Sequence, residues 1–145
     1  MREAIGGTWI FSIVIVFIVL FTGYLAVSVN YSRAFKVKSN IVSIIEQHEG
    51  LNDGAEAEID SYLSGIGYAV YGTCAEGETG FNENLSGSKA MYCVSKRSNN
   101  ADGALNKSYY RVKVWFRLDL PIFGDLFTFP VTGETKAVHF ANDNL

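Results

Sequence analysis

The chain has 145 residues, of which 48% are hydrophobic and 19% charged, and a formal net charge of −3. That length suits one modest domain and not two, and the charge offers no footprint for nucleic acid. The hydrophobicity is concentrated: residues 4–32 contain no charged side chain, which argues against an ordinary cytosolic enzyme.

Residues 9–29 read WIFSIVIVFIVLFTGYLAVSV. The run is apolar all round instead of striped, as contact with lipid requires. A bilayer-spanning helix needs about 20 such residues. Trp9 and Tyr31 lie roughly 33 Å apart along a helix, so they are expected to mark the two membrane interfaces. Residues 1–32 are therefore read as an N-terminal tail and transmembrane helix, and 33–145 as an extracytoplasmic domain. A cleaved secretory signal is the alternative, with Ala26-Val27-Ser28 as a passable cleavage site. Its apolar core would be unusually long, and its basic residues Arg33, Lys36 and Lys38 follow the run instead of preceding it.

Orientation draws on two opposed signals. Arg33, Lys36 and Lys38 outnumber Arg2, and taken alone that count favours a cytoplasmic C-terminal domain. Cys74 and Cys93 favour the reverse, because an even cysteine count in a small polar domain reads as a disulfide formed in an oxidising compartment. Domains of this size also translocate largely regardless of flanking charge. The expected arrangement is N-terminus inside, domain outside, with two reduced buried thiols as the alternative.

No helix breaker follows the apolar run before Gly50. Ala34, Val37, Ile41, Ile44, Ile45 and His48 recur at three- and four-residue steps, so one helix over residues 5–49 is predicted, with 33–49 laying one face on the domain. Asp53-Gly-Ala-Glu56 reads as a capping box with Asp53 in the cap position. Ala55, Ile59, Tyr62 and Leu63 give the stripe of a short helix that Gly65 ends. The period then changes to two. Strands are predicted at 68–71, 91–94, 109–120, 126–131 and 135–140, the last two joined by Thr132-Gly133-Glu134. In 109–120 the even positions Tyr110 to Leu120 share one face, and Arg111, Lys113, Arg117 and Asp119 share the other with Tyr109 and Trp115. The expected class is α+β: a long transmembrane helix continuing into a small domain, with a short helix and an antiparallel sheet of four or five strands.

Reaction chemistry is not evident. Cys74 and Cys93 lack the spacing of a zinc site, and His48 and His139 stand apart from them. Gly65-Ile-Gly67 precedes a strand instead of following one, the wrong context for a phosphate loop. Glu56, Glu58 and Asp60 alternate around a helix near its first turn, where the helix dipole accounts for them. No catalytic, cofactor or metal residue is assigned, and no small-molecule substrate is indicated. Residues 39–88 carry nine acids and no Lys or Arg, while 89–117 carry seven bases and one acid. These halves either neutralise each other within the domain or form complementary faces on neighbouring subunits. One segment resists a bland reading: Leu120, Ile122, Phe123, Leu126, Phe127 and Phe129 crowd a connection that is usually polar. They either fold over the sheet or form an apolar interface with a partner or lipid.

An apolar N-terminal helix continuing into a small sheet domain resembles the layout of type IV pilins and pseudopilins. Residues 5–49, Leu120-Pro121-Ile122 and the stretch from Phe129 to Lys136 make the chain most similar to the TadE-like proteins of tight-adherence pilus systems. Gly6 and Gly7 are candidate prepilin cleavage points, but Ser12 stands fifth after Gly7 where prepilins carry glutamate, and Glu3 precedes the glycines. The resemblance implies a minor structural or assembly component in a bacterial cell membrane or surface filament. Its expected partners are membrane lipid and sibling pilin-like subunits or an assembly platform. Its helix would pack through small residues such as Gly6, Gly7, Ser12 and Gly23. A membrane-anchored extracytoplasmic binding or sensing module is the alternative.

Overall fold

In the computed structural model, which describes residues 2–99, 107–120, 124–139 and 145, one helix, α1 (Arg2–Gln47), contains both the apolar run and the amphipathic stretch. Its 46 residues extend roughly 70 Å. Ala34, Val37, Ile41, Ile44 and Ile45 are buried against the domain, the stripe that the three- and four-residue spacing predicts. His48 lies just past the helix and is only half-buried.

The end of α1 differs from expectation in detail. Gly50 N–H donates to the Ile45 carbonyl and Glu49 N–H to the Glu46 carbonyl, the two bonds of a Schellman cap. The residue in the left-handed conformation is therefore Glu49, with φ 55°, and Gly50 follows it. The short helix α2 (Asp53–Gly65) is capped by Asn52, and not by Asp53. Asn52 Oδ1 accepts from Ala55 N–H at 2.9 Å, and its amide donates to the His48 carbonyl at 3.2 Å. One side chain thus serves the end of α1 and the start of α2, while Asp53 takes the first helical position beside the dipole's positive end. Gly65 is the last residue of α2, as the sequence predicts. The left-handed residue beyond it is Gly67, at φ 63°, with Tyr68 N–H returning to the Leu63 carbonyl. α2 runs back along α1, tied by Asn40 to the Tyr62 hydroxyl and by His48 to Glu58.

The sheet is antiparallel. It comprises β1 (Thr79–Glu83), β2 (Ala90–Asn99), β3 (Lys107–Leu120), β4 (Gly124–Glu134) and β5 (Val138–His139). The order is β1-β2-β3-β4, with β5 also pairing β3. The class is α+β, as the sequence predicts. Tyr92, Val94, Tyr110, Val112, Val114 and Val131 form the core with the buried stripe of α1 and with Leu51, Ala55, Ile59 and Leu63.

Three strand expectations are corrected. Residues 68–71 form no strand: Gly72 alone bridges to Ala90, and β1, which the sequence reading did not find, occupies the sheet edge. Thr132, Gly133 and Glu134 do not join two strands but pair with Lys113, Val112 and Arg111 inside β4. β5 is shorter than 135–140 and lies on the same side of β3 as β4, its register advanced by one residue, which is the signature of a bulge. Residue 140 lies outside the described residues.

The second face of β3 is also less open than alternation suggests. Trp115 is only 4% exposed. Residues 68–78 cross this face as a strap. The Tyr68 hydroxyl donates to the Trp115 carbonyl, Cys74 joins Cys93, and Glu78 meets Lys113 at 2.6 Å. Gly72 lies so close beneath the Trp115 indole that any Cβ there would overlap the ring.

Candidate functional site

The first half of α1 is long and apolar enough to cross a membrane, and its most apolar window buries nothing against the rest of the chain. Trp9 is 71% exposed and Tyr31 49%. A Cβ at Gly6 or Gly7 would meet nothing within 4 Å, so both leave a bare helix surface that another helix could approach closely. Ser12 Oγ–H donates to the Thr8 carbonyl, which satisfies the hydroxyl within its own helix. Gly23 differs from the other small residues. It is half-buried, as are Ala26, Val27 and Asn30, a stripe at three- and four-residue spacing that continues into the buried Ala34 and Val37.

The crowded apolar connection is a β-hairpin. β3 and β4 pair out to Leu120↔Gly124, with a bulge where Leu118↔Phe127 gives way to Asp119↔Asp125. Leu120 pairs in this ladder and Leu126 falls at the bulge, while Ile122 and Phe123 lie outside the described residues. Phe127 is 57% exposed and Phe129 43%. Phe129 stacks on Phe116 at 5.3 Å between ring centroids, and Tyr31 meets the edge of Phe116 at 5.8 Å. Phe127 and Phe129 are 6.0 Å apart. The fold thereby joins the C-terminal marker of the apolar run to the aromatic hairpin, two features 85 or more residues apart in sequence.

Beside this patch an open cleft of about 470 Å³ lies between α1, residues 66–70 and β3. Arg33, Lys36 and Arg117 bring cationic side chains to it, over Ala34, Val37, Trp115 and Phe116. Sequence reasoning missed this cleft, since no linear spacing brings residues 33 and 117 together.

Cys74 and Cys93 have Cα atoms 5.7 Å apart, within the usual range for a bridge. Glu78 lies close enough to both sulfurs to suggest a three-ligand cluster. The pairing of the two sulfurs leaves no thiolate for a metal, and Glu78 is engaged by Lys113 and by Ala75 N–H. Burial would raise the Glu78 pKa, but these two donors, with the charges of Lys113 and Arg111, outweigh it and hold the carboxyl below its ordinary 4.5. Tyr68 is pushed up to about 12 by burial, against the opposing effect of its bond to the Trp115 carbonyl.

The carboxylates of α2 separate by role. Glu58 meets His48 at 2.8 Å and Asp60 accepts from Asn82 at 2.7 Å. The Glu56 pKa is raised by burial and by the charges of Asp53 and Asp60. Between the acidic and basic halves, Glu78 and Lys113 make an internal contact, the arrangement expected if the halves neutralise each other within the domain.

Compared with known proteins, the chain matches no family model, and no curated protein or solved structure is significantly similar to it.

Proposed function

We propose that this protein is a membrane-anchored structural or assembly component, pilin-like in layout, that acts by packing its helix and making domain contacts with sibling subunits. The observation that carries the reading is α1 itself. One uninterrupted helix exposes apolar side chains all round its first half and buries a stripe against the sheet in its second. Such a helix couples the domain rigidly to whatever surrounds the apolar half. In lipid, helices associate through close packing at small residues, and Gly6 and Gly7 leave room for it. A layout that resembles TadE-like proteins agrees with this use, with the domain outside a bacterial cell membrane and Cys74–Cys93 oxidised there.

Photocrosslinking groups placed at Ile10 and Phe17 in the native membrane test the reading. Discrete crosslinks to copies of the chain or to other single-pass proteins are expected, and protease added to intact cells should remove the domain. Monomer alone at both positions would falsify the assembly role. The cleft beside Arg33 and Arg117 favours the second reading, an anchored module that binds a ligand without assembling.

A further inference from the structure

We propose that the β3–β4 hairpin is a second membrane contact, seated in the phospholipid head-group layer beside α1, and that it sets the membrane boundary near Gly23 instead of at Tyr31. The inference rests on the anchoring part of the reading above and not on assembly.

The direction of the hairpin comes first. Lys136 N–H bonds Glu46 near the end of α1, whereas Phe116 meets Tyr31 fifteen residues earlier on the helix. β3 therefore runs back along α1 toward its apolar half, and its pairing with β4 continues four residues past Phe116, to Leu120. The half-buried stripe Gly23, Ala26, Val27 and Asn30 extends the covered face of α1 in the same direction, roughly 12 Å beyond Tyr31. If Tyr31 marked the boundary, protein would cover the helix to that depth inside the hydrocarbon.

Backbone chemistry forbids that placement. β2 pairs with β3 no further than Val114, and β4 has no strand on its outer side among the described residues. Open strand edges are not tolerated in hydrocarbon, where each unsatisfied group costs several kcal/mol. Head groups and their water can satisfy such edges. The exposed Phe127 and Phe129 then sit where aromatic rings concentrate. Arg33 and Lys36 lie alongside, and α1 carries no acid between Glu3 and Glu46, a sign suited to phosphate. With the boundary near Gly23, residues 5–22 remain to span, roughly 27 Å of helix, against a hydrocarbon core of about 30 Å.

The test uses the full chain in vesicles of mixed phosphatidylcholine and phosphatidylglycerol. Spin labels are attached singly through Val19→Cys, Val29→Cys, Phe127→Cys, Phe129→Cys and Leu85→Cys, and collisions with oxygen and with a water-soluble nickel chelate are compared. All five side chains are substantially exposed in the structure, and mass spectrometry checks that Cys74–Cys93 remains joined in each variant. The oxygen-to-nickel ratio should be highest at 19, intermediate at 29, 127 and 129, and several-fold lower at 85. A ratio at 29 equal to that at 19 places the boundary at Tyr31 and overturns the proposal. Ratios at 127 and 129 equal to that at 85 put the hairpin in water and overturn it too. Labels at 127 and 129 shielded from both reagents and broadened by one another across molecules show a second copy there, the remaining way for it to fail. A label at 19 that collides with nickel as freely as one at 85 removes the anchor, and with it both this proposal and the function above.

Discussion

Tyr92 fills the centre of the core with its ring, yet its buried hydroxyl has no hydrogen-bond partner among the described residues. Burial and the charges of Asp60 and Glu56 raise its pKa, so the group stays neutral, but the lost hydration is uncompensated. An unsatisfied buried hydroxyl costs about 1–3 kcal/mol. Tyr92→Phe keeps the stacking on Phe81 at 5.1 Å, and denaturant titration in micelles should find it no less stable than the parent, and up to about 1 kcal/mol more so. Glu78 presents the opposite case. Its carboxyl is held below 4.5 when folded, so the unfolded chain binds the proton more readily. The stability it contributes is complete above pH 4.5 and is lost as pH falls through the folded value. Lys113→Met should cost about 1–3 kcal/mol at neutral pH and flatten this acid limb in a pH series. An unchanged limb would show that Lys113 does not hold the carboxylate.

At the scale of elements, the two helix ends solve one problem with different residues. Both use a Schellman cap, but α2 places Gly67 in the left-handed position and α1 places Glu49 there. A side chain in that conformation costs about 1 kcal/mol relative to glycine. Glu49 is exposed, so Glu49→Gly should raise stability by about 0.5–1 kcal/mol, measured as a shifted denaturation midpoint with an unchanged slope. Gly67→Ala should lower it by a similar amount. The strap over residues 68–78 is a further element, without regular structure, held by Tyr68, Cys74 and Glu78 on a face that alternation alone assigns to solvent.

For the whole molecule, the disulfide ties the strap to the sheet. Cys74–Cys93 closes a separation of 19 residues, for which loop-closure entropy predicts about 3 kcal/mol. Reduction should lower stability by that order, with the loss concentrated in 68–83. Hydrogen exchange would register it there while α1 and β3 stay protected. Uniform loss of protection would mean that the bridge supports the entire core. The same experiment on protein from its native membrane shows whether the pair is oxidised in place, on which the proposed outward orientation of the domain depends.

Two features were legible in the sequence because they are local and periodic. The uncharged run and the stripe Ala34, Val37, Ile41, Ile44, Ile45 declare one helix with two environments, since 3.6-residue spacing shows which face is buried. The alternation in 109–120 declares β3 for the same reason. Cap identities were harder to read, because Asn52 and Asp53 are chemically equivalent as caps and only the path of the turn selects between them. What lies on the second face of β3 was decided by tertiary structure: Trp115 is buried by a strap with no period of its own. The aromatic patch was decided there too. Tyr31, Phe116 and Phe129 are scattered along the sequence, and they meet because β3 runs back along α1 and β4 returns beside it. Local spacing determines which face of an element is apolar, while the packing of one element on another determines what that face meets.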